Sequence, residues 1–206
     1  MTKFLPKTID VLGIRYKIIF PYIFNTKECI IGLHDAMKRE IRLSAIISTS
    51  SDKLPISQIH CTLLHEIIHA LINVLYSNPP PEEIIEGLSF GLYQVLVDNP
   101  ELYTKKIPPT VKVGGFIYKI THPHIFADDD NVSISASNMQ ERILIAEAGS
   151  LDFKFEKLTY AICNAVYYIY CGGRDGEDLH PHFDQALYNT IKTNGLAKLF
   201  RKYRGK

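Results

Sequence analysis

The chain has 206 residues, 46% of them hydrophobic, and a formal net charge of +1. That is enough apolar material for a real core in one large domain or two small ones. A charge near zero excludes a nucleic-acid protein driven by bulk electrostatics. No apolar run reaches the roughly 18 residues of a spanning helix, and the N-terminus MTKFLPKTIDVLG has no secretory h-region. A cytoplasmic protein without a membrane partner is therefore expected. Cys29, Cys61, Cys163 and Cys171 lack CxxC spacing and suit a reducing compartment as small buried hydrophobes.

In chain order, residues 5–24 (LPKTIDVLGIRYKIIFPYIF) read as a hairpin around Gly13, followed by a further strand pair and a loop over Ser48–Pro55. From Ser57 to Tyr76 the chain runs SQIHCTLLHEIIHALINVLY, without Gly or Pro. Ile59, Leu63, Ile67 and Leu71, with Leu64, Ile68, Ile72 and Leu75, leave little room for a solvated face, so this is a helix buried on most sides. Pro55 and Ser57 start it, and Ser77-Asn78 with three prolines stop it. A second helix, EEIIEGLSFGLYQVLVDNPEL, follows with Pro at its entry and Asn99-Pro100 at its exit.

The first helix carries His65-Glu66-Ile67-Ile68-His69. HExxH on a helix puts two imidazoles on one face, one turn apart, within reach of a single metal ion. Bound zinc lowers the pKa of water from about 16 to about 7, and the intervening Glu66 can accept the proton. A buried, unpaired Glu would cost several kcal/mol, and a metal supplies its partner. A third ligand is expected downstream, where the nearest acids are Glu82, Glu83 and Glu86. Glu82 and Glu83 sit in the first helical turn, where acids complement the macrodipole. Glu86 lies deeper and is the expected ligand, with Glu83 the alternative; two imidazoles, one carboxylate and a water form a standard catalytic zinc set. Asn73 and Tyr93 lie one or two turns beyond His69 and Glu86 and are candidates for a supporting or hydrogen-bonding role.

HEIIHAL followed by EGLSFGL resembles the pattern of ImmA/IrrE-type metallopeptidases, an HExxH helix and then a helix bearing a metal-binding Glu before small and aromatic residues. It is also similar to small phage and prophage proteins of that type, in which a short hairpin region precedes HExxH and a GLYQxLxDNPEL-like helix follows. The resemblance spans roughly residues 8–103. It implies His65, His69 and Glu86 as zinc ligands, Glu66 as general base, and a phage protein acting in a bacterial host's cytoplasm.

The second half of the chain repeats the first. Residues 107–126 (IPPTVKVGGFIYKITHPHIF) match residues 5–24 without gaps, at ten of twenty positions. The register holds at Met37/Met139 and Ile41/Ile143, shifts by seven residues in the Ser48–Pro55 loop, and resumes through both helices to Tyr93/Tyr188 and Asn99/Asn194. The expected fold is α+β, a tandem duplication with units at 1–104 and 105–206, each a small antiparallel sheet packed with two helices. A pseudo-two-fold axis would relate such units. In this register His65, Glu66, His69 and Glu86 face Tyr160, Ala161, Asn164 and Pro181. The second unit keeps the apolar scaffold and lacks every metal group, so it is read as non-catalytic, serving structure or a protein partner.

Other clusters carry less. His180-Pro-His182 with Cys171 is separated by a turn-rich loop, His122-Pro-His124 falls at a strand end, and Asp128-Asp129-Asp130-Asn131 lacks the Gly and terminal Glu of a calcium loop. The basic tail from Lys198 to Lys206 reads as a solvated helix end. The sequence thus points to a zinc metallopeptidase hydrolysing a peptide bond in a protein substrate. The rival readings are a zinc-containing, non-catalytic binding protein of phage origin and a purely structural repeat.

Overall fold

Leu12 and Gly13 both adopt positive φ, 51° and 81°, the left-handed pair that closes a two-residue hairpin. They join β1 (Thr8–Val11) to β2 (Ile14–Ile19), and Gly114 and Gly115 repeat the turn between β5 (Thr110–Val113) and β6 (Phe116–His124). The remaining strands are β3 (Gly32–Asp35) and β4 (Glu40–Leu43) in the first unit, β7 (Ile134–Ser137) and β8 (Arg142–Ala146) in the second. The computed structural model describes residues 4–25, 30–47, 52–126, 132–172 and 179–204. Cys29, the Asp128–Asn131 run and most of the loop before His180 lie outside them, so the expectations placed there have no structural counterpart.

The two sheets have the same order, β1-β2-β4-β3 and β5-β6-β8-β7. The expected antiparallel sheets are in fact mixed, because β2 pairs with β4, and β6 with β8, in parallel. After β2 the chain travels to the far edge, lays down β3, and turns back between the two. β3 and β4 form an antiparallel hairpin, so β4 must run with β2. Each sheet therefore ends in a short edge strand, and in the first unit that strand is β3.

Two helices follow each sheet: α1 (Ile56–Leu75) and α2 (Glu82–Asp98), then α3 (Leu151–Tyr170) and α4 (Phe183–Asn194). Every strand of the second unit starts 102 residues after its counterpart, whereas α3 starts 95 residues after α1. The seven-residue difference thus falls between β4 and α1, as the sequence register requires. α1 packs on α2 and α4, and α3 on the same two helices. The four helices form a closed layer between the sheets, and one continuous apolar core runs through both units.

The contacts between units are reciprocal. At the end of α2, Asn99 accepts from the Lys112 backbone N–H (2.7 Å) and donates to the Lys112 carbonyl (2.8 Å), pinning β5. At the end of α4, Asn194 accepts from the Asp10 N–H (2.9 Å) and donates to the Asp10 carbonyl (2.7 Å), pinning β1. Equal contacts made in both directions are the mark of a two-fold relation, here within one chain.

A fifth helix, α5 (Leu196–Lys202), departs from the repeat and from the expected solvated tail. Gly195, at φ 62°, breaks the chain from α4, and Leu196, Ala197 and Phe200 are buried. Two of the tail's cations meet the C-terminal end of α2, Arg201 donating to the Pro100 carbonyl and Arg204 pairing with Asp98 at 2.7 Å, while Lys198 and Lys202 are exposed. Cationic groups complement that end of the helix dipole. Among the described residues Cys61, Cys163 and Cys171 are free thiols, and no helix is long and apolar enough to cross a membrane.

Candidate metal centre

α1 presents His65 and His69 from one face, one turn apart, and α2 packs across that face. His65 Nε2 lies 3.0 Å from His69 Nε2 and 3.0 Å from Glu82 Oε1, and His69 Nε2 lies 3.4 Å from Glu82 Oε2. Ligand atoms bound at 2.0–2.1 Å to one tetrahedral ion stand about 3.3 Å apart. With one ligand atom of each residue within 4.8 Å of the others, the three side chains define a face over which an ion would sit. Among the described residues this is the only set of His, Cys, Asp and Glu ligand atoms close enough to share one.

The carboxylate that closes the set is Glu82, not the expected Glu86. On an α-helix Glu82 and Ser89, seven residues apart, differ by about 20° in direction, whereas Glu86 is turned about 60° from Ser89. Ser89 faces His65 directly, its Oγ 3.4 Å from Nδ1, so Glu82 shares that bearing and Glu86 swings aside. Glu86 still lines the adjoining cavity, while Glu83 is exposed and lines none of it. The first-turn position that suits Glu82 to the helix dipole also carries it over the imidazoles.

Ser89 was not singled out in the sequence, although it continues the stripe through Glu82 and Glu86. Its hydroxyl donates to the Glu86 carbonyl (2.9 Å), leaving an oxygen lone pair for His65 Nδ1–H. A His65 protonated at Nδ1 would donate to that oxygen and turn its Nε2 lone pair toward His69 and Glu82. The His65 pKa is lowered, first by burial and then by His69, against the opposing charge of Glu82. The free imidazole, the form that binds metals, is favoured.

Glu66 is 5% exposed and lies against β3. Burial pushes its carboxyl up to about 8, with the Glu82 charge adding and a hydrogen bond from the His34 backbone N–H opposing. A methyl on Gly32 would come within 2.3 Å of Glu66 Oε1 and 2.5 Å of Thr62 Cγ2, so only glycine leaves room for the acid. The second unit has Ile134 at the Gly32 position and Ala161 at the Glu66 position. The larger residue has moved from the helix to the strand, and the space that holds an acid in one unit is apolar in the other.

A cavity of about 270 Å³ is lined by His65, Glu66 and Glu82 and walled by Ile30, Ile31, Cys61, Thr62 and Phe90. All its lining residues belong to the first unit, so no described residue of the second unit caps it. Its mouth carries exposed Glu82, Glu86 and Phe90. The two expected supporting residues are elsewhere. Asn73 is exposed, and the Tyr93 hydroxyl is buried without a hydrogen-bond partner beside the Phe200 ring; neither lines the cavity.

Among the described residues the weaker His and Cys clusters do not assemble. His180 packs on Tyr76, its backbone N–H donating to the Tyr76 hydroxyl (2.5 Å), while Cys171 Sγ lies 3.6 Å from the Ile84 carbonyl. His124 stacks edge-on against Phe126 as Tyr22 does against Phe24, which suits a structural strand end. No protein-family model matches this chain, nor does any curated protein or solved structure.

Proposed function

We propose that the protein is a zinc-dependent metallopeptidase acting on a peptide bond of a protein substrate. The observation that carries this reading is the convergence of His65 Nε2, His69 Nε2 and a Glu82 carboxylate beside an open cavity. Two imidazoles and one carboxylate are a donor set for catalytic zinc, which keeps a fourth position for water or substrate. When bound, zinc would supply an acidified water and polarise a carbonyl. His65 and His69 would hold the ion, Ser89 would accept from His65 Nδ1–H and leave Nε2 free for it, and Glu82 would balance the charge. Glu66 takes the proton of the attacking water and returns it to the leaving amine. A nearby cation favours the ionised carboxylate, opposing the burial that raises its pKa in the protein alone. The apolar wall of Ile30, Ile31 and Phe90 suits an apolar side chain beside the scissile bond. Free, buried thiols at Cys61 and Cys163 suit the reducing cytoplasm.

Metal analysis of the purified protein tests this directly. About one zinc per chain is expected in the wild type, and none in His65→Ala or His69→Ala. Glu66→Gln should keep the zinc and lose hydrolysis of a peptide library. Wild-type protein without zinc overturns the reading. Bound zinc with function intact in Glu66→Gln would instead identify a zinc-containing binding protein, a role in which the second unit could hold a partner.

A further inference from the structure

We propose that the metal-free second unit is the positioning element of the metal centre: the end of α3, packed against Gly87 and Gly91 of α2, sets where Glu82 meets the two histidines. This inference rests on the metal-centre reading above and assigns a task to the half of the chain that has no ligand of its own.

α2 lies between α1 and α3 and serves them with opposite faces. Glu82 and Ser89 point toward His65, whereas Gly87 and Gly91 lie about 140–180° around the helix from Glu82 and meet α3. A methyl on Gly87 would fall 2.7 Å from Cys171 Sγ and 3.1 Å from the Tyr170 carbonyl oxygen. On Gly91 it would fall 2.5 Å from Val166 Cγ1 and 2.7 Å from the Tyr170 ring. The two helices thus touch at a distance that only glycine permits. Tyr170 also donates through its hydroxyl to Gln94, and Cys171 Sγ lies 3.6 Å from the Ile84 carbonyl, two residues from Glu82. The contact runs along α2 from beside the ligand to the middle of the helix.

The consequence follows from rigidity. Adding one carbon to the glycine face requires a displacement of about 1 Å, since carbon contacts are comfortable only near 3.5–4.0 Å. The opposite face carries Glu82, held 3.0–3.4 Å from two imidazole nitrogens. A metal site tolerates about 0.2 Å in its ligand distances, so a packing change on α3 reaches the ligand. The sequence of the second unit kept the helix that performs this bracing while losing His, Glu and His from it.

Zinc affinity, measured by competition with a chromophoric chelator, tests the proposal in the full-length protein, with the visible spectrum of the Co²⁺ form and thermal unfolding recorded alongside. Gly87→Ala should weaken zinc binding about 10–100-fold, the range for groups that orient ligands, and alter the Co²⁺ spectrum while the protein stays folded. Adding Cys171→Ala removes the closest atom and should recover most of that loss. Tyr170→Ala, which loosens the same contact from the other side and avoids overpacking, should weaken binding in the same direction and serves if Gly87→Ala does not fold. Wild-type zinc affinity and spectrum in folded Gly87→Ala, or in Tyr170→Ala, overturn the positioning role. A wild type that binds no zinc overturns the metal-centre reading itself, a separate and distinguishable failure.

Discussion

Removing the Asn99 side chain should show how strongly the two units are stapled together. Asn99 is 9% exposed, and its amide makes three bonds: to the Val95 carbonyl (2.8 Å), to the Lys112 carbonyl (2.8 Å), and from the Lys112 N–H (2.7 Å). Asn99→Ala leaves three backbone groups without that partner. At about 0.5–1.5 kcal/mol of net stability each, rising where a group stays dry, the loss is about 2–4 kcal/mol. For a chain of this size that lowers Tm by about 4–16 °C, at about 2–4 °C per kcal/mol. Asn99→Asp should be no milder, because a carboxylate still accepts from Lys112 N–H but faces two carbonyls it cannot donate to. Urea titrations and calorimetry read both effects. A change below about 0.5 kcal/mol, within the range of ordinary surface substitutions, would refute the stapling argument. Asn194→Ala, which breaks the reciprocal bonds to Asp10 in a half-buried setting, should cost less than Asn99→Ala.

Two further outcomes separate the site's parts. Glu82→Gln should weaken zinc binding by more than the about 10–100-fold that changes behind a ligand cost, while Glu86→Gln leaves it nearly unchanged; the reverse order, measured by chelator competition, would restore Glu86 as the ligand. His60 is fully buried, its Nε2 bonded to the Phe4 carbonyl at 2.7 Å, and burial lowers its pKa from 6.5 despite that bond. A depressed folded-state pKa means that stability is full above about 6.5 and falls as the pH drops through the window below it. Wild type should therefore lose more stability than His60→Gln between neutral and mildly acidic pH, and parallel pH–stability curves for the two would refute this.

The legible parts of this protein were those written in local patterns. HExxH in an unbroken apolar helix announced two imidazoles on one face with a glutamate between them, and the paired glycine turns with their 102-residue register announced two units of the same α+β design. The parallel central pair of each sheet was not legible, since a strand's pattern is the same whichever way its neighbour runs. The place of Glu82 beside the imidazoles was not legible for a related reason. A first-turn acid already has a local explanation in the helix dipole, and the bearing of α2 across α1, which decides between Glu82 and Glu86, is set by packing.

The sequence by itself therefore determined the chemistry on offer: two imidazoles one turn apart, a glutamate between them, acids close behind, and a second copy stripped of all of them. Tertiary structure alone decided which acid joins the imidazoles, which serine orients one of them, and why Gly32 stands beneath Glu66. It also set the close packing of α3 against Gly87 and Gly91 of α2. Helical and strand periodicity fix which residues share a face, and they are encoded within a few residues of each other. The rotation and depth of one element on another are fixed by side chains far apart in the chain, such as Val166 against Gly91 and Asn99 against Lys112, and those meet only when the core closes.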